Sequence, residues 1–234
     1  MKNLYRIAGL TISMDSFGRT AEQAENYRCD SEDQIDIVIE SPWENNKHLH
    51  PNLSNDDGEY LATGSVFYKN LLRHNGLMLH SSAVVVNGRA YLFTADSGVG
   101  KSTHTKLWLE LFGERAYILN DDKPALRYLN GTWFAFGTPW SGKHDISANT
   151  CAPIAGIAIL VRSETNEISR FSGLDVIQRI LRQVNRPRDA ESRELLLELI
   201  NQLILDIPIW KLKCNMSLDA AITAYEAMSH NDWR

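Results

Sequence analysis

The sequence predicts an α/β fold: a mixed sheet with β-hairpins, preceded by a small N-terminal lobe. Three observations predict it. Asn87-Gly88 and Asn130-Gly131 each sit between apolar, β-rich runs, and Asn-Gly suits a two-residue hairpin turn because both positions tolerate positive φ. A β-rich run, a Ser/Gly loop and an amphipathic stretch follow one another over 89–112. The first 57 residues, by contrast, are polar and irregular.

Taken in order, residues 1–57 contain one clear strand candidate, 35–39, and a loop-like run from Glu44 to Gly58,. This stretch is expected to be a separate lobe, with the main domain spanning 58–234. Leu61, Val66, Phe67, Leu71 and Leu72 recur at mostly helical spacing, which predicts a helix over 59–73 with Gly76 as its C-cap,. Strands 77–86 and 89–94 form the first hairpin, 101–112 a helix, and 116–119 a strand ending at Asn120-Asp121-Asp122,. Strands 125–129 and 132–136 form the second hairpin,. Residues 154–162 read as a buried strand with 167–171 as its partner. Helices over 175–184 and 190–205 are split by Pro187,. A strand over 207–213 and a helix over 217–228, capped by Ser217, close the chain,.

Composition narrows the function. The chain has 234 residues, 44% hydrophobic and 23% charged, enough apolar material for a core,. Its 29 acidic side chains against 24 Lys and Arg give a net charge of −5. That balance argues against broad binding to the nucleic-acid backbone. The longest apolar run, 151–161, is too short for a membrane span, and the first residues lack a signal-peptide pattern, so a cytoplasmic location is expected,. Three cysteines at wide spacing suggest neither a disulfide framework nor a thiolate metal site,.

The motif that carries chemistry is Ala95-Asp96-Ser97-Gly98-Val99-Gly100-Lys101-Ser102-Thr103, which joins a strand to a helix. Glycines there let consecutive N–H groups point at phosphate oxygens, and the helix N-terminus adds partial positive charge. Ser97, Gly98, Val99, Gly100, Lys101, Ser102 and Thr103 are therefore candidate nucleotide-binding residues. Lys101 would bridge phosphates, and the Ser102 hydroxyl is placed for Mg²⁺. Ala95 departs from the common pattern, which has a glycine there; a Cβ would cost about 1 kcal/mol or more if that position needed positive φ.

Some twenty residues on, Asp121 and Asp122 end a strand that the helix would return beside the first one,. Adjacent strand residues point to opposite sides, so the two carboxylates have different roles: one for the metal, the other as base for an acceptor hydroxyl. Asn120-Asp121-Asp122-Lys123-Pro124 also reads as a polar turn,.

Together, residues 95–102, the upstream Leu79-His80-Ser81-Ser82-Ala83 and Leu119-Asn120-Asp121-Asp122 resemble the HPr kinase/phosphorylase catalytic core. More distantly they resemble ATP-dependent phosphoenolpyruvate carboxykinase. The resemblance covers about 77–162 and implies an HPr-kinase-like P-loop fold that binds ATP and Mg²⁺. It implies that Lys101 contacts the phosphates, Ser102 and Asp121 take the metal, Asp122 is the general base and His80 sits beside that carboxylate. The Glu/Arg-rich second signature of bifunctional HPr kinases is missing, which leaves HPr as a substrate in doubt.

The loop Thr138-Pro139-Trp140-Ser141-Gly142-Lys143 either offers Lys143 to a phosphate or acidic acceptor and Trp140 for stacking, or is a turn with a solvated lysine and Trp140 packed as its anchor,. Three features remain. His48 and His50 could place two imidazoles on one face. The apolar face of 190–205 reads as core or homo-oligomer surface, and Arg179, Arg182, Arg186 and Arg188 form a basic stretch that reads as a solvated face or as a grip for an anionic substrate or partner,. The expectation is an ATP-dependent kinase acting on a seryl group or a small alcohol, with no nucleic-acid or membrane partner. The rival readings are a nucleotide switch without transfer and a carboxykinase-like enzyme on a small organic acid.

Overall fold

The computed structural model describes residues 3–30, 34–171 and 173–229. The chain opens with β1 (Asn3–Ile7), β2 (Leu10–Met14), α1 (Gly18–Ala24), β3 (Ile37–Ile39), α2 (Trp43–Asn46) and α3 (Asn55–Leu71). It continues with β4 (Gly76–Met78), β5 (Ser81–Val86), β6 (Arg89–Thr94), α4 (Lys101–Phe112), β7 (Ala116–Asn120), β8 (Ala125–Leu129), β9 (Thr132–Phe136) and β10 (Cys151–Arg162). It closes with β11 (Glu167–Arg170), α5 (Leu174–Leu181), α6 (Ala190–Asp206), β12 (Ile209–Cys214) and α7 (Leu218–Ser229). The architecture is mixed α/β, and none of the described helices is long and apolar enough to cross a membrane.

Strands β1, β2 and β3 form a three-stranded sheet; the other nine form a mixed sheet in the order β4-β8-β9-β10-β6-β5-β7, with β12 on β10 and β11 on β12. Only β10 pairs in parallel within this large sheet, with β6 and with β12. Both Asn-Gly turns close as expected, with Val86 opposite Arg89 and Leu129 opposite Thr132. Asn87 and Asn130 each take φ of 50°.

Two cores lie on opposite faces of the large sheet. One packs Leu92, Ile157 and Ile159 under α5 and α6. The other packs Phe93, Ala158 and Leu160 under α4 and α7, with Trp108 of α4 fully buried at its centre. Truncating such an aromatic costs about 3–5 kcal/mol. A third core joins the N-terminal sheet to Phe67 and Tyr68 of α3 and to Trp140.

Several elements depart from the expectation for physical reasons. The first 57 residues hold a hairpin, β1–β2, turning on Ala8 and Gly9 at φ 53° and 76°. The alanine there carries no Asn or Asp signal, and buried Thr11 and Ser13 disguise β2 as polar. Helix α3 begins at Asn55, capped by the Ser54 hydroxyl accepting from the Asp57 amide at 3.1 Å,. Asn75, at φ 54°, takes the left-handed position expected of Gly76. Gly76 instead starts β4, where a Cβ would lie 2.8 Å from Arg127 Cγ and Leu71 Cγ.

The strand expected over 77–86 is two strands broken at Leu79-His80: β4 pairs with β8, whereas β5 pairs with β6 and β7. Strand β7 lies beside β5 rather than β6, so β6 and β7 run parallel with one strand between them. Strand β11 pairs with β12, not with β10. Ser217 directly precedes α7, as expected of its N-cap; its hydroxyl donates to Asn215 Oδ1 at 2.6 Å. His48 and His50 lie in exposed, non-strand backbone, with the His50 ring stacked on Trp43.

Candidate functional site

The Gly-rich loop runs from the end of β6 to the first residue of α4, as hydrophobic strand and amphipathic helix dictate. Gly98 and Gly100 take φ of 78° and 120°, backbone that side chains other than glycine's rarely accept. An ideal Cβ on Gly98 would meet nothing within 4 Å, and one on Gly100 only Thr103 Cβ at 3.9 Å. The glycines therefore answer to backbone conformation, and the space over the loop is open. Ala95 is not among the described non-glycine residues with positive φ, and its side chain is buried in the core beneath α4. The departure from glycine at this position thus carries no strain.

Lys101 begins α4 partly buried, its ammonium 3.5 Å from the Ala95 carbonyl oxygen. Burial lowers its pKa, and Asp122, Asp121 and Asp96 oppose that shift in this order. The lysine of the loop and the two carboxylates thus share one electrostatic neighbourhood. The Arg162 guanidinium, from the end of β10, donates to the carbonyls of Val99, at 3.3 Å, and Gly98. It braces the loop against the sheet. A cavity of about 440 Å³ opens beside this brace, walled by Val99, Leu107, Leu160 and Met216.

Asp121 and Asp122 occupy a turn after β7 that Asn120 builds. The Asn120 Oδ1 accepts from the Asp122 and Lys123 amides at 3.0 and 2.7 Å, and its Nδ2 donates to the Thr138 carbonyl at 3.0 Å. The same residues are therefore both the polar turn and the carboxylate pair. Asp121 is buried and accepts from Ser82 Oγ at 2.6 Å. Ser82 Oγ lies 2.8 Å from Thr105 Oγ1, which is 3.2 Å from the Ser102 carbonyl oxygen. Three side chains in succession thus tie Asp121 to the first turn of α4.

Asp122 turns toward His80, whose Nε2 is 3.1 Å from Asp122 Oδ1, and forms an ion pair with Lys123. Burial disfavours its charge, but hydrogen bonds from His80 and Lys123 and the Lys123 charge outweigh that and bring its pKa down to about 2,.

His80 sits at the break between β4 and β5. There its backbone N–H leaves the strand ladder and donates to the Gln183 carbonyl at 2.6 Å, while its own carbonyl accepts from Thr94 Oγ1 at 2.8 Å. Its Nδ1 lies 3.2 Å from Gln183 Oε1, and Gln183 Nε2 donates to Asp96 Oδ1 at 3.3 Å. Because the Asp96 carboxylate only accepts, it fixes the Gln183 amide with its oxygen toward the imidazole. A chain Asp96–Gln183–His80–Asp122 results, linking the Gly-rich loop to the carboxylate. Gln183 carried no signal in the sequence: it reaches His80 from 103 residues away. Asp96 lay inside the motif without a role.

The 138–145 loop follows the second of its two readings for Trp140. Trp140 is 1% exposed; it stacks on Phe67 at 4.8 Å and donates to Thr63 Oγ1 at 3.3 Å, so it is a loop anchor and not a stacking surface. Lys143 is exposed and forms no ion pair or side-chain hydrogen bond among the described residues; the lysine paired with Asp122 is Lys123. Gly142, at φ 84°, is the part of the loop that packs on the site, where a Cβ would lie 3.0 Å from Asp122 Cβ. Helices α3 and α1 hold this tip: the Gly142 amide donates to Tyr60 OH of α3 at 3.0 Å, and its carbonyl accepts from Arg19 and Gln23 of α1, the latter at 3.1 Å.

No cluster of three or more His, Cys, Asp or Glu is arranged to hold a metal among the described residues. A cation here would be held by one or two protein oxygens and completed by its substrate, which is the usual habit of magnesium. Asp121 and the Ser102 hydroxyl are the groups suited to it.

No protein-family model and no curated protein matches the chain. Among solved structures, the HPr(Ser) kinase/phosphatase from Coxiella burnetii aligns with 66% of this chain and 99% of its own, at 11% sequence identity and a TM-score of 0.39.

Proposed function

We propose that the protein is an ATP-dependent phosphotransferase that moves the γ-phosphoryl group of ATP to a hydroxyl acceptor, either a seryl side chain or a small alcohol. The observation that carries this reading is the Asp121–Ser82–Thr105 succession, which holds the carboxylate pair against the helix end bearing Lys101 and Ser102. Phosphoryl transfer asks for positioning and charge neutralisation more than for covalent chemistry. In this reading the loop amides of 97–100 and the N-terminus of α4 receive phosphate oxygens, and Lys101 neutralises charge on the transferred group. The apolar cavity beside Arg162 takes the nucleoside. Asp121 and Ser102 would hold Mg²⁺, which when bound spreads the phosphate charge. Asp122 orients the acceptor hydroxyl and receives its proton, with His80 and Lys123 stabilising the carboxylate until then. The lobe of residues 1–57 serves the main domain of 58–234 by fixing the Gly142 tip over Asp122. Lys143, exposed on the same loop, is available to the acceptor.

A carboxykinase-like activity is less well supported. Such an enzyme needs arginines free to grip carboxylates, but Arg127 donates to the His74 and Ala8 carbonyls at 3.1 and 2.8 Å, and Arg162 braces the loop. A nucleotide switch without transfer is the second reading, favoured by the Lys123 ion pair on Asp122. Thermal-shift and labelled-ATP assays separate them. Mg-ATP should raise the melting temperature of the wild type and leave Lys101→Ala unchanged; equal shifts in both would remove the nucleotide assignment. Labelled product from γ-labelled ATP with a peptide or metabolite pool supports transfer, and nucleotide binding without product supports the switch.

A further inference from the structure

Gln183 lies just past the end of α5, and the last turn of that helix carries Arg179. Both residues line a cavity of about 30 Å³ against Asp96 and Thr94, at the foot of the Gly-rich loop. Arg179 and Ile159 also line a second cavity of about 230 Å³, where the other cations are Arg182 and Lys211 of β12. One arginine therefore stands in the walls of both spaces. None of the three cations forms an ion pair or side-chain hydrogen bond among the described residues. The carboxylate lining the larger cavity is Asp175, which leaves the cations in excess. Ile159 and Val161 form part of its wall, and an apolar wall strengthens the attraction of those cations for a charge placed between them.

Three cations, with Arg179 and Arg182 exposed and Lys211 half-buried, surround one small space and favour an anion placed between them. Two guanidinium groups and an ammonium suit the paired oxygens of a carboxylate. The volume suits one acidic group and its neighbouring atoms; sites for whole cofactors usually exceed about 300 Å³. Gln183 contacts His80, the partner of Asp122, and lines the smaller cavity together with Arg179, so the cations and the catalytic carboxylate lie on either side of one residue. On the phosphotransferase reading above, we propose that this cavity binds a carboxylate of the acceptor, so that the substrate is an acidic hydroxyl compound, either a seryl peptide flanked by acidic residues or a small hydroxy acid.

The test uses the full chain and three probes: a seryl heptapeptide flanked by glutamates, the same peptide with glutamines, and 3-hydroxyglutarate. The glutamate peptide should bind at low salt and weaken as salt rises, and the glutamine peptide should not bind. The Arg179→Gln/Arg182→Gln pair should weaken glutamate-peptide binding roughly ten- to hundredfold, the scale of losing hydrogen bonds to a charged group. Lys211→Gln should act in the same direction, and all variants should keep the Mg-ATP thermal shift. Binding of 3-hydroxyglutarate that displaces the peptide would assign the site to small hydroxy acids, and peptide binding untouched by it to acidic peptides. Equal binding of the two peptides, or unchanged binding by the double arginine variant, would overturn the proposal while leaving the nucleotide reading intact. Acidic probes bound at Arg179 and Arg182 in a protein that shows no Mg-ATP shift would keep the anion site and discard the phosphotransferase.

Discussion

Glu59 offers a quantitative test of how the N-terminal lobe is joined to α3. Its side chain is 0% exposed, one oxygen accepts from Thr20 Oγ1, and the other has no hydrogen-bond partner. Burial raises its pKa from 4.5 to about 7; the Thr20 hydroxyl opposes the shift and Asp56 adds to it. The sign follows from linkage. Below pH 4.5 the carboxyl is neutral in both folded and unfolded chains, and its contribution to stability is complete. As pH rises, the unfolded chain loses the proton first, so stability declines until the folded group ionises near 7. Over that interval the loss reaches about 3 kcal/mol. Glu59→Gln keeps the shape and an acceptor for Thr20 but cannot ionise. Urea denaturation of both proteins between pH 4.5 and 8 should show the variant gaining on the wild type by about 2–3 kcal/mol across the range. Taking the difference cancels His104, whose pKa burial lowers to about 4 and which weakens the fold in the opposite direction, as pH falls. A gap between the two proteins that stays constant with pH would refute the reasoning, because Glu59 would then be ionised in the folded state throughout.

Asp122→Asn should keep the Mg-ATP thermal shift and lower transfer by roughly a hundredfold or more, the usual worth of a positioned base. It should also cost about 2 kcal/mol at pH 7, because the carboxylate contributes stability above its ordinary value of 3.8 and loses it as pH falls to about 2,; a urea midpoint equal to wild type would contradict the ion pair. Gln183→Leu removes the acceptor at His80 Nδ1 and should reduce kcat roughly tenfold with KM for ATP unchanged, whereas unaltered turnover would show that the imidazole is oriented without it. Tyr60→Phe deletes the acceptor of the Gly142 amide but keeps the ring. Raised KM for the acceptor, with nucleotide binding unchanged, is the expected result, and identical constants in both proteins would show that the α3 contact to Gly142 does not shape the site.

The parts of the fold that were legible in the sequence are those whose signals are local. Asn87-Gly88 and Asn130-Gly131 announced their hairpins, and the run from Lys101 to Phe112 carried its own period and start. The β1–β2 hairpin was hidden because Ala8 occupies a positive-φ position without the residues that usually reveal one. The site divides in the same way. Gly98, Gly100, Lys101, Asp121 and Asp122 are readable because their neighbours in sequence are also their neighbours in space. Lys123 and Gln183 were overlooked for different reasons. Lys123 resembled one more turn residue, and only the fold shows its ammonium on Asp122 while Lys143 faces solvent. Gln183 becomes relevant only through the isolated bridge of Val184 to Leu79, which brings α5 to the break beside His80.

That break explains why one histidine can serve two masters. Had β4 and β5 formed the single strand that composition favours, the His80 amide would have been committed to a ladder. The interruption instead gives its N–H to Gln183 and its carbonyl to Thr94, the last residue before the Gly-rich loop. Both backbone polar groups of His80 are thus spent on elements that flank the loop, and its ring spans from Gln183 to Asp122. A shift of the Gly-rich loop that moved Asp96 or Thr94 would act on the same residue that orients the carboxylate. Asp122, held also by Lys123, is thereby joined to the loop ahead of α4, and the chain Asp96–Gln183–His80–Asp122 gives a substitution at one end a hydrogen-bonded route to the other.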